Sequence, residues 1–305
     1  MRALRLTQEV RIVWIDQICI NQDDLEERSQ QVQLMRDIYQ TASRVLIWLG
    51  DYENDSSDAL SFLPRLSKVL AAHLEEKIST DSLTSISLPI ISDKIWVAVG
   101  HLFQRPWFRR VWTAQEAIMS RNSVLLCGES QLPWNILLSA IDVLWHHHAL
   151  LVEILNRVPR DQVLGINWAP SQVTAIKQTR AGYYQDTEKN SFLEILSAFA
   201  NCEATNPRDK IFALLGVLPD AERLCFEAPD YTKTVEQVYI DTAQSFIQQN
   251  SLEIILYSGA CKQILRLPSW VPDWSAPIST SSFGRACKYS ARKSQVSCYR
   301  DPVHI

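Results

Sequence analysis

Two apolar runs with a helix-length segment between them constrain this chain more than any other feature. "RIVWIDQICI" (11–20) and "RVLIWLGD" (44–51) are rich in β-branched and aromatic residues. Runs of that kind suit strands buried on both faces of a sheet. Between them "NQDD" breaks the pattern. Asp23 or Asp24 stands where a helix N-cap belongs, with Glu26 or Glu27 three residues on as a capping box. Val32, Met35, Ile38, Tyr39, Ala42 and Val45 then recur at helical spacing. Strand, helix, strand in that order predicts a βαβ unit with parallel strands and a right-handed crossover.

The rest of the chain extends an α/β reading. Helices are expected over 58–74 and 92–104, with a polar Ser/Thr-rich loop at 75–88 between them. "RPWFRRVWTAQE" (105–116), opened by Pro106, reads as the first turns of one continuous helix. "SVLLCGE" (123–129) reads as a short strand, and 132–155 as one long amphipathic helix. Residues 157–190 have weak periodicity and are expected to form an irregular connection and a domain boundary. Helices at 191–202, 206–218 and 234–250 follow, the last with Thr234 and Gln237 as a capping box. "LPSWVPDWSAP" (267–277) must be extended around its prolines. The Ser/Arg/Lys-rich segment 278–305 reads as disordered.

Composition excludes some function classes. The 305 residues carry a net charge of −4 with scattered basic residues, which is no footprint for nucleic acid. The apolar stretch from Leu88 to Phe103 is broken by Asp93, Lys94 and His101 and is too short for a bilayer. Residues 1–9 hold no apolar core of a secretory signal. Seven dispersed cysteines without a CxxC pair point to reduced thiols and a cytoplasmic setting.

Most catalytic signatures are missing: there is no GxGxxG, no GxxxxGK[ST] and no GxSxG. His146, His147 and His148 are consecutive, so on a helix they diverge by about 100° each and no metal is expected there. Ligands of open parallel sheets sit beyond the carboxyl ends of the strands, which singles out Asp16, Asn21, Gln22 and Asp23 as candidate binding groups. Turn and cap chemistry accounts for the same four residues. Glu116, four residues after Trp112 on an apolar face, is the candidate acid, since burial beside an indole raises a carboxyl pKa. The competing reading is an ion pair with Arg105, Arg109 or Arg110 that anchors the helix. Arg208, Asp209 and Lys210 open a helix and read as structural capping.

"VWIDQICINQDDLEERSQQVQLMRDIYQTASRVLIWLG" (13–50) resembles the signature block of the fungal heterokaryon-incompatibility (HET) domain, and "RPWFRRVWTAQEA" (105–117) its second block. "NPRDKIFALLGV", "DYTKTVEQVY" and "LPSWVPDW" are similar to segments that follow the domain in many members. The family's opening strand has no counterpart here. The resemblance therefore implies an N-terminally truncated HET domain over 1–156 and a helical C-terminal region over 191–277. The implied fold is a TIR-like (flavodoxin-like) parallel sheet flanked by helices and lacking its first strand. Function by this resemblance is non-self recognition that triggers cell death, through protein partners of incompatibility signalling or self-association. The distant likeness to TIR domains implies Glu116 as an NAD-cleaving acid, Trp112 shaping its pocket, NAD as substrate and no required cofactor. A non-enzymatic scaffold and an inactive truncated paralogue stay open beside it.

Overall fold

The computed structural model describes residues 10, 12–76, 78–157, 168–184, 190–258, 263–264 and 266–276; the expected disordered segment 278–305 lies outside them. The first expected strand does not form. Residues 12–15 are irregular and Asp16–Cys19 is a single helical turn, α1. Val13 and Ile18 are exposed, and Ile20 alone of this run is buried. The reason is local polarity. A strand buried on both faces would desolvate Asp16 and Gln17. Here the Gln17 amide instead donates to Asp16 Oδ1 at 2.8 Å, and Ile15 C=O accepts from Ile18 and Cys19.

The next helix, α2 (Leu25–Thr41), starts where capping chemistry places it. Asp24 Oδ1 accepts from the Glu26 and Glu27 amides at 3.0 Å, and Glu27 reaches back to the Asn21 amide at 3.0 Å. Val32 and Met35 are buried from its apolar face. Strand β1 (Val45–Trp48) pairs in parallel with β2 (Ser123–Cys127), which turns back into antiparallel β3 (Ser130–Pro133). The described sheet is thus mixed, with three strands in the order β1-β2-β3. β3 was not anticipated, because its four residues run directly into the helix that was read from 132 onward.

Helices α3 (Ser56–Ala71) and α6 (Trp134–His146) pack beside the sheet, and α4 (Lys94–Phe103) packs on α3. The expected single helix over 132–155 breaks at His147, and α7 (His148–Asn156) leaves α6 at 105°. His147 leaves the helical conformation with φ −98° and ψ 53°, and its buried ring meets Leu70 C=O at 3.4 Å, while its backbone still ends α6 on Val143 and starts α7 toward Leu151.

"RPWFRRVWTAQE" also breaks. Pro106–Arg109 is a 3₁₀ turn, Arg110 is extended, and α5 is Trp112–Met119. At the break the main chain pairs with Glu203: the Val111 amide donates to Glu203 C=O at 2.9 Å and the Glu203 amide to Arg109 C=O at 2.6 Å. Residues 157–190, expected to be irregular, hold the 17-residue helix α8 (Trp168–Tyr184). It buries Val173 and Ile176, but Ala169, Gln172, Ala175 and Thr179 fill other buried positions around them, and small or polar residues there weaken the helical period.

Five short to medium helices build the C-terminal region: α9 (Phe192–Ala198), α10 (Asp209–Leu215), α11 (Asp220–Arg223), α12 (Val235–Gln248) and α13 (Ile254–Tyr257). Thr234 caps α12 by accepting from the Gln237 amide, as its sequence predicts. The proline-rich segment forms turns around Asp273, which accepts from the Gln263, Ile264 and Ser275 amides. One hydrophobic core cluster runs from Val32 to Trp274, so α2, α5 and the C-terminal helices share an interior.

Two contacts tie α5 to that interior. Arg180 of α8 donates to the Ala117, Ile118 and Ser120 carbonyls at the C-terminal end of α5, where a helix leaves its last C=O groups unpaired. Gln115 projects the other way, onto Gly216 at the end of α10. Arg180→Met is expected to lower stability by about 2–3 kcal/mol, the range for hydrogen bonds from a charged donor, with Arg180→Lys recovering part of it in thermal denaturation. A Cβ on Gly216 would sit 2.2 Å from Gln115 Nε2. Gly216→Ala should therefore cost about 1–3 kcal/mol by overpacking, and adding Gln115→Ala should recover most of that loss in a double-mutant cycle.

Candidate functional site

Glu116 sits in the second turn of α5, and the indole on its carboxylate is not the expected one. Trp107 of the 3₁₀ turn donates Nε1–H to Glu116 Oε2 at 3.1 Å. The break at Arg110 produces this geometry by folding residues 106–109 back beside α5. Trp112 instead faces Asp209 of α10 and helps to hold down that carboxyl's pKa. Helical spacing from Trp112 pointed to the wrong tryptophan, because the helix does not extend through 105–111.

The three arginines divide their tasks. Arg105 is buried and donates to Glu53, to the carbonyl at 2.9 Å and to Oε2 at 3.3 Å. It thereby pins the loop after β1, where Gly50 adopts φ +110° and its α-carbon faces Arg105 Nη1 too closely for a side chain. Arg109 donates to Gln104 C=O at 2.9 Å and pairs with Glu203 at 3.8 Å. Arg110 is the cation whose field reaches Glu116. No guanidinium makes an ion pair with Glu116 among the described residues.

Glu116 keeps partial solvent access, yet its surroundings desolvate the carboxylate and raise its pKa above the ordinary 4.5. The Trp107 hydrogen bond and the Arg110 charge oppose that rise, and the charge of Asp16 adds to it. Tyr39 of α2 belongs to the same cluster: burial raises its pKa most, followed by the charges of Glu116 and Asp16. Trp14 closes the side, its ring edge-on to Tyr39 at 5.9 Å. Two acids, a phenol, an arginine and two tryptophans thus converge from α1, α2 and the start of α5. Asp16 is the one member of the predicted binding group that joins them. Asn21, Gln22 and Asp23 are exposed on the turn before α2. Asn21 Oδ1 accepts from the Asp23 amide at 3.3 Å, and Gln22 Nε2 donates to Asp16 C=O at 3.2 Å. Tyr39 and Trp107 were not singled out, although Tyr39 had been placed on the apolar face of its helix.

A concavity of about 250 Å³, partly open to solvent, lies elsewhere, between α10 and α12. Its floor is apolar, and Lys233 on its rim is already paired with Glu227 and with Asp241, the latter at 2.8 Å. Chemistry, not volume, therefore favours Glu116 as the site. A second polar cluster, around Asp209, is structural in its connections. Tyr231 Oη donates to Asp209 Oδ1 at 2.6 Å, Arg28 pairs with Asp209 at 3.6 Å, and the Arg28 guanidinium lies 3.9 Å from the Tyr231 ring centre. Burial raises the Asp209 pKa, against the pull of those partners. The cluster joins α2 to α10, which is more than the local cap expected of Arg208, Asp209 and Lys210.

Comparison with known proteins places this geometry. Residues 1–116 match the family model for heterokaryon incompatibility protein (HET), a match whose last residue is Glu116. The chain is also similar to heterokaryon incompatibility protein 6, OR allele, of Neurospora crassa, with 30% identity over 88% of this chain. It spans 45% of that relative's length. No solved structure matches the chain. Residues 1–116, which hold the first block, nearly all of the second and the candidate acid, thus match the domain of the heterokaryon-incompatibility (HET) family.

Proposed function

We propose that this chain is a fungal incompatibility signalling module whose output is cell death, and that Glu116 is its catalytic acid in a TIR-like hydrolysis of NAD. The observation that carries the reading is the Glu116 carboxyl itself: reachable from solvent, raised in pKa, and set beside Asp16, Tyr39, Arg110 and two tryptophans. A carboxylate so placed stabilises the positive charge that grows on a ribose as nicotinamide leaves. Trp14 and Tyr39, both partly exposed, are the rings with surface left to meet the face of a nicotinamide or a ribose. The name of the Neurospora relative, a heterokaryon incompatibility protein, supports the incompatibility role.

A second reading has its own observation. Val10, Ile12 and Ile18 are 95%, 96% and 63% exposed, an apolar strip that favours self-association without chemistry.

Purified chain incubated with NAD separates the two. Nicotinamide release by the wild type, lowered at least about a hundredfold in Glu116→Gln, is the result expected of a catalytic carboxylate. Equal release in the two sinks the assignment. No release from either, with a light-scattering mass above 34.9 kDa, favours self-association.

The raised pKa has a separate signature in stability. Between pH 4.5 and the higher folded value, the native state binds more protons at Glu116 than the unfolded chain does. Stability from this group therefore falls as pH rises through that window. Thermal midpoints of Glu116→Gln are expected to gain on the wild type as pH rises above 4.5 and to lose that advantage below it. Asp209, also raised, is common to both proteins and cancels in the difference.

A further inference from the structure

Trp107 is held more firmly than a tryptophan in a short turn needs to be. Its ring is 6% exposed and sits edge-on to Phe108 at 5.2 Å and to Trp134, the first residue of α6, at 5.8 Å. One aromatic contact lies within its own turn and the other on α6, and together with burial they restrict the ring and so the direction of its Nε1–H. That direction is Glu116 Oε2, at 3.1 Å. Oε1 receives no hydrogen bond among the described residues, and Glu116 keeps part of its surface open. A carboxylate with one oxygen tethered and the other free presents that free oxygen in a defined orientation.

From this arrangement we infer that Trp107 is the positioning residue of the site: its indole N–H holds Glu116 Oε2, aims Oε1 outward and favours the ionised carboxylate. The inference rests on the reading of Glu116 as the functional acid, but its test does not need turnover. An N–H donor to a carboxylate stabilises the charged form. Three charged or titratable groups face Glu116 besides this bond: Arg110 from the break before α5, Asp16 from α1 and Tyr39 from α2. Asp16 opposes the ionised form and Arg110 supports it, so Trp107 acts within a partly balanced field.

The first measurement is read on the wild-type protein, with Trp107→Phe serving only to assign the resonance. In protein labelled with ¹⁵N-tryptophan, the Trp107 indole N–H resonance, assigned by its absence in Trp107→Phe, should follow the Glu116 titration. In Glu116→Gln that titration should vanish. The second measurement compares Trp107→Phe, which keeps a ring against Phe108 and Trp134, with Trp134→Phe, which keeps the N–H. In protein labelled with ¹³C-glutamate, the Glu116 carboxyl should titrate about one unit higher in Trp107→Phe, the scale of one charge-assisted hydrogen bond. It should stay at the wild-type position in Trp134→Phe, even if both variants lose thermal stability. An indole resonance that ignores pH, or an equal shift in both variants, overturns the inference. If the titration behaves as expected while the wild type leaves NAD intact, the positioning role stands and the NAD reading fails.

Discussion

Helix α5 ends in carbonyls that have no partner within the helix, and Arg180 supplies the hydrogen bonds they need. Much of the site depends on that contact and on its counterpart at the other end of the helix. There the chain is stretched at Arg110 by pairing with Glu203, and Trp112 faces Asp209. All of these partners lie beyond residue 116. A helix of eight residues has little stability alone, so its position is a property of what surrounds it. The acid on it inherits that position.

The surroundings of α5 are unequal in polarity, which gives its two adjacent amide and acid side chains different fates. Gln115 is 1% exposed and meets Gly216, with neither amide atom hydrogen-bonded among the described residues. A buried amide without partners carries a penalty of about 1–3 kcal/mol, which tight packing of α5 on α10 must offset. Glu116, one residue later, turns toward Trp107 and the solvent-accessible cluster with Asp16 and Tyr39. The match to the HET family model spans the residues that build this cluster, while the Arg180 contacts that hold the end of α5 come from outside the family match.

How legible the site was follows from which interactions make it. Glu116 stood out because a carboxylate on an apolar face needs a reason. Trp107 did not, because its link to Glu116 crosses a break that propensity cannot foresee: Pro106 opens a turn in either case, and only Glu203 decides that Arg110 is extended. Asp16 was found for a partly mistaken reason, as the end of a strand. It reaches the site instead from a helical turn. Helix α8 has only Val173 and Ile176 as branched apolar residues on its buried face, and the alanines, Gln172 and Thr179 beside them leave the periodic signal faint.

The sequence alone determined the features that close within a few residues. Asp24 and Thr234 cap their helices, Val32 and Met35 face inward, and β1 and β2 are strands. Each rests on a side chain meeting a backbone group within one turn, or on an apolar run without interior polar residues. Tertiary structure decided the rest: the helical turn at Asp16, the breaks at Arg110 and His147, the antiparallel β3, and the meeting of Trp107 with Glu116. A strand, a kink or a shared proton site needs a partner far along the chain. Such a partner becomes visible only when the chain has closed around it.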